Sequence, residues 1–179
     1  MIRMQTWRGL ELKLWAATPC LVTLGFLLFY LSPKHISGIG HFMPALPLIP
    51  IFYWGLLHSH EMPYWFVFIL GTILDAATGM PMGVSSLLYV FFLALLHAQR
   101  KYILKEGFVI KWGYFGMLMA FISILNWVLI WFLSGQAPGL LQGFIQWLLT
   151  MCCYPLLHRI FDILCDHIKS RRWQLRHGR

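Results

Sequence analysis

The basic residues of this chain avoid its apolar runs and gather in short clusters between them. Arg3, Arg8 and Lys13 form one cluster, Arg100, Lys101, Lys105 and Lys111 a second, and Arg159, Lys169, Arg171, Arg172, Arg176 and Arg179 a third. Six apolar segments separate them, at 12–31, 42–58, 64–78, 84–98, 108–133 and 140–164. If each crosses a bilayer, 13 of the 14 Lys and Arg residues fall on one side, and Lys34 alone falls on the other. The positive-inside rule then puts both termini in the cytoplasm. A five-span chain would leave either the "RKYILKEG" loop or the basic tail outside, so six spans are expected.

Composition agrees. Charged residues make up 11% of the chain and hydrophobic ones 59%, against roughly 25% charged in a soluble domain. The net charge of +8 reads as topology rather than as a nucleic-acid patch, because the basic residues flank spans. The expected fold is an all-α integral membrane protein, a single transmembrane domain over 1–179, with a basic cytoplasmic tail at 165–179. Tyr30, Tyr64, Trp65, Tyr102 and Trp112 lie near span ends, as interfacial belts do. The basic start and apolar run resemble a signal peptide, but no small-x-small cleavage site follows, so the first span is expected to be retained. The tail is either a flank held by anionic lipid or a docking handle for a cytoplasmic partner.

The second segment is irregular. Pro44, Pro47 and Pro50 each lack a backbone donor and resist helix continuation. Its 17 residues would rise about 26 Å as a helix, short of a ~30 Å hydrocarbon core. A proline-broken or re-entrant span is expected, with its bare backbone buried in protein.

Few residues suggest chemistry. His58, His60 and Glu61 in "HSHE" have no further ligand fixed by spacing, and a turn is the simpler reading. Cys20, Cys152, Cys153 and Cys165 lie in apolar segments without metal or redox spacing and are expected to be inert. Gln142, Gln146 and Thr150 recur every four residues on one face of the last span. They either pack helices, with Ser123 and Asn126 as partners, or line a ligand site. Arg159 and Asp162 have the i,i+3 spacing of an interfacial ion pair. Nothing here argues for an enzyme, a cofactor or a metal.

Asp75 stands in "ILGTILDAATGMPMG", one turn before the end of the third span. A carboxylate there opposes its own helix dipole. The following turn is short, however, so the first amides of the next helix, around Val84–Ser86, lie close by without intrahelical partners. Asp75 is expected to accept from them and lock the hairpin of spans three and four, with Gly79 and Gly83 allowing close backbone approach. Ion coupling and contact with a partner are the alternatives.

Residues 43–102 resemble the bacterial rod shape-determining protein MreD family. The likeness rests on the proline-punctuated segment leading to Tyr53 and Trp54, on Pro63 opening the next span, and on Gly71, Asp75, Gly79 and Gly83. The family pattern there is Gly-x-x-x-Asp, a small turn, and a Gly that starts the next helix. The resemblance implies a non-catalytic inner-membrane protein of the cell-elongation machinery. Its implied partners are MreC, the actin-like MreB, and the peptidoglycan synthase pair of RodA and a class B penicillin-binding protein. It also implies a fold similar to the substrate-binding subunits of energy-coupling-factor vitamin transporters, and with it a rival function as such a subunit.

Overall fold

A computed structural model of the chain describes residues 18–31, 44–57, 59, 62–135 and 139–177, apart from the side chains of 134 and 166–177. It contains helices α1 (Thr18–Leu31), α2 (Leu48–Leu57), α3 (Tyr64–Thr78), α4 (Val84–Ile103), α5 (Phe108–Ser134) and α6 (Leu140–His177). Among the described residues there is no strand.

α5 and α6 are the long apolar helices. Each contains a 26-residue stretch, Phe108–Leu133 and Leu140–Cys165, with the length and composition to cross a bilayer. In each, the most apolar window is only 22% buried, which is unlike the core helix of a soluble protein. The outward surface is itself apolar: Met117 is 72% exposed and Phe132 84%. Such a surface suits lipid, not water. α6 continues to His177, so much of the stretch expected as a tail is helical. α4 likewise runs past the expected end at 98 to Ile103, carrying Arg100 and Lys101 in its last turn. Cations there meet the negative end of the helix dipole, which favours the extra turn.

Prolines shape the start of α2. Tight turns precede it, with Leu46 N donating to Pro44 O at 2.8 Å and Leu48 N to Ala45 O at 3.1 Å. Pro47 lies just before the helix, and Pro50 lies in its first turn, where a missing N–H breaks no intrahelical bond. From there the helix is continuous to Leu57, a rise of about 15 Å, half the hydrocarbon thickness. Every residue from Leu48 to Leu56 is buried.

α2 therefore sits inside the bundle rather than on its surface. Phe52 touches Phe92 of α4, Phe115 of α5 and Tyr154 of α6, at ring-centroid distances of 6.3, 5.1 and 5.7 Å. α1 joins through an edge-to-face pair of Phe26 and Phe161 at 5.7 Å. α5 and α6 exchange indole hydrogen bonds: Trp112 Nε1 donates to Met151 O at 3.1 Å and Trp147 Nε1 to Gly116 O at 2.9 Å. Phe108, at the start of α5, packs on His158. The Lys105–Lys111 region and Arg159 thus share one end of the bundle, called here the basic end.

Candidate functional site

At the end opposite the basic one, α3 turns into α4 around Asp75. The residue is fully buried. Its Oδ2 accepts from Gly83 N at 2.8 Å, and Ser85 N donates to both carboxyl oxygens, at 3.1 Å to Oδ1 and 3.2 Å to Oδ2. The contacts fall on Gly83 and Ser85, the two ends of a short stretch centred on the first residue of α4. Both amides precede the point where intrahelical bonding begins, so the carboxyl group supplies acceptors that the α4 ladder lacks.

The glycines divide the work differently from the sequence expectation. Gly79 and Gly83 have φ of 69° and 102°, and a Cβ added at either would meet nothing within 4 Å. They serve the left-handed turn geometry, not close approach. Close approach belongs to Gly71: a Cβ there would stand 2.4 Å from Ser86 Cα and 2.6 Å from Ser86 N. Gly71 and Asp75 lie one turn apart on the same face of α3, so the first lets α4 in and the second binds its start. Thr72 Oγ1, 3.0 Å from Ser86 Oγ, adds a third link.

The basic end holds contacts that sequence reasoning did not find. Arg100 of α4 donates from Nε to Leu56 O at 2.7 Å and from Nη2 to Leu57 O at 3.2 Å. It thereby caps the last carbonyls of α2 with a guanidinium fork. The partners are 44 and 43 residues apart, beyond any local signal. Tyr53 OH donates to Asp162 Oδ1 at 2.7 Å, and His158 Nδ1 lies 3.0 Å from Asp162 Oδ2. Asp162 is thus bound by Tyr53 and His158, not paired with Arg159 as the i,i+3 spacing suggests. Asp162 points back along the helix toward its i,i+4 neighbour His158, and the buried α2 brings the phenol. Trp54, the other aromatic of that pair, is buried at 1% exposure.

The Gln142–Gln146–Thr150 stripe divides. Thr150, fully buried, accepts from Ala45 N at 3.0 Å and donates to Gln146 O at 2.7 Å, tying the lead-in of α2 to α6. Gln142 and Gln146 instead line a cavity of about 420 Å³, together with Ser123 and Asn126 of α5. Tyr30, Tyr89, Thr78 and Ser85 add hydroxyls to the wall, and Leu48, Leu74, Leu88, Met119 and Ile122 make it otherwise apolar. Of the sequence-predicted residues, the structure gathers the hairpin set at one place and the two glutamines beside it. Pro44, Pro47 and Pro50 shape the entry to α2, and Tyr53 and Trp54 face its far end. His58, His60 and Glu61 lie outside the described residues; among those described, no group of His, Cys, Asp and Glu could hold a metal.

A family model described as "rod shape-determining protein MreD" matches residues 11–160. An uncharacterized protein of Rickettsia prowazekii (strain Madrid E) is 28% identical over 144 residues, which cover 80% of this chain and 82% of that protein. No solved structure matches the chain. The family match takes in all of α2 to α5, the Asp75 hairpin and the cavity-lining residues. The chain belongs to the rod shape-determining protein MreD family, a membrane protein family of the rod-shape machinery.

Proposed function

We propose that the protein is a non-catalytic scaffold of the bacterial cell-elongation machinery, embedded in the inner (cytoplasmic) membrane as a multi-pass, single-domain bundle with both termini cytoplasmic. Family membership over residues 11–160 carries this reading. Its partners are MreC, MreB, and RodA with its class B penicillin-binding protein. The spans receive the single transmembrane helix of a bitopic partner, and the basic flanks face the cytoskeletal side and anionic lipid. In this reading Gly71, Asp75, Gly79 and Gly83 keep the α3–α4 hairpin rigid, and the prolines shape the entry to α2, the short buried helix of the second span. Tyr53 and Trp54 anchor it from within. A scaffold profits from such rigidity, since a pre-ordered surface loses less entropy when a partner docks.

The experiment is purification of the tagged full-length protein in mild detergent from cells producing it at native level. Recovery of a bitopic wall-synthesis protein in stoichiometric amount is expected. Its absence, with the tagged protein intact and monodisperse, would remove the scaffold reading. The second reading, a substrate-binding subunit of a vitamin transporter, is favoured by the cavity beside Gln142 and Gln146. Loss of uptake of one vitamin on deletion, with rod shape kept, would select it.

A further inference from the structure

We propose that the cavity beside the α3–α4 hairpin is a binding site for an uncharged amphiphile, one with a hydroxyl- or amide-bearing head and an apolar portion. The site goes beyond the scaffold reading and does not depend on it. Its volume of about 420 Å³ lies within the roughly 300–1,000 Å³ of small-molecule pockets. Its polar groups arrive from different helices and meet there: Ser123 and Asn126 from α5, Gln142 and Gln146 from α6. In lipid, polar side chains turn toward partner helices or toward a cavity.

Thr150 shows what packing alone looks like on this stripe. It is fully buried, with Ala45 N and Gln146 O as its partners. Asn126 and Gln146 are only partly buried, and they border open space. Each carboxamide presents donors and an acceptor side by side. Several in one wall complement hydroxyl and amide groups, which also do both. Among the described lining residues there is no Lys, Arg, His, Asp or Glu. Among these described residues a phosphate, carboxylate or ammonium head would find no counter-charge, and burying it against them is unfavourable. Asp75, the nearest buried carboxyl group behind Ser85, already accepts from Gly83 and Ser85. The Leu48, Leu74, Met119 and Ile122 wall suits the apolar portion.

The test uses the full-length protein in phosphatidylcholine nanodiscs and a probe with a glucoside head on an alkyl chain that bears a diazirine. Two controls carry the same chain with a phosphate or an ammonium head. Crosslinked peptides are mapped by mass spectrometry. The glucoside probe is expected to label α5 and α6 around the cavity, and n-octyl β-D-glucoside to compete. The charged controls should leave that region unlabelled. Asn126→Leu combined with Gln146→Leu should weaken labelling about tenfold or more, as loss of at least one hydrogen bond per side chain implies. Gln146→Glu guards against simple misfolding: it should lose the glucoside and gain the ammonium probe. Competition by glucose as strong as by octyl glucoside would mark an aqueous source for the ligand, and competition only by the octyl form a membrane source; either supports the neutral-head site. Labelling confined to outer faces, unmoved by the variants, or equal for all three heads would overturn it.

Discussion

At the scale of single residues, the hairpin depends on two positions with different physics. Asp75 acts through acceptors. Replacing it with Leu leaves two amides at the start of α4 unsatisfied, at about 1–3 kcal/mol each. Asp75→Asn is milder, because Oδ2 alone is within reach of both Gly83 N and Ser85 N; an amide oxygen placed there keeps both bonds, and the expected loss is about 1 kcal/mol. Membrane abundance and the thermal midpoint in detergent should rank wild type, Asn, then Leu, with Asn near wild type. If Asn and Leu were equally damaging to cell shape while both proteins accumulated normally, the charge itself would be functional. Gly71 acts through space. The added methyl of Gly71→Ala meets backbone atoms of α4, which cannot rotate away as a side chain does. Overpacking of about 1–3 kcal/mol is expected. The same change at Gly55 would meet only the tips of Leu93 and Leu96 and should lower the thermal midpoint less.

The sequence made Asp75 legible because the relevant partners are local. A short turn leaves few places for the next helix to start, and its first amides have a known need. Gly71 was legible only as part of a family pattern; its contact with Ser86 required the helix packing itself. Gly79 and Gly83 were recognised as turn residues but given the wrong physical task, since spacing does not distinguish positive φ from close approach.

At the scale of elements, α2 is the unusual one. A buried ten-residue helix has four carbonyls at its end that need partners inside an apolar bundle. Arg100 supplies donors to two of them, Leu56 O and Leu57 O. Arg100→Lys keeps the charge and the topology signal but lacks the planar fork. It should lower the thermal midpoint, and Arg100→Met should lower it further, by the loss of charge-assisted bonds of about 1.5–3 kcal/mol each. Equal stability of Arg100→Met and wild type would show that water or lipid satisfies those carbonyls instead. The prolines marked the irregular entry to α2, and the expected starts at 64, 84, 108 and 140 coincide with those of α3 to α6, whereas α4 and α6 run past their expected ends. What it lacked was every link across the bundle. Tyr53 and Asp162 are 109 residues apart, and Ala45 and Thr150 105 apart. Periodicity places a residue on a face but does not name what that face meets. For the same reason the Gln142–Gln146–Thr150 stripe appeared uniform, although packing gives its members separate roles.

At the scale of the whole molecule, charge asymmetry and family membership point the same way. The end rich in Arg and Lys is one end of the bundle, and the hairpin and cavity lie toward the other. Reporter fusions at Lys34, Lys105, Gly135 and the C-terminus are expected to read periplasmic, cytoplasmic, periplasmic and cytoplasmic in that order. A periplasmic signal at Lys105 or the C-terminus would contradict the six-span arrangement. The scaffold role itself is tested most directly by cell width during depletion, in a rod-shaped host whose only copy of the gene is under a titratable promoter. Rounding or widening is expected as the protein falls, with uptake of vitamins unchanged and shape restored by the wild-type chain. Cells that keep constant width and rod shape after the protein has been lost would contradict it.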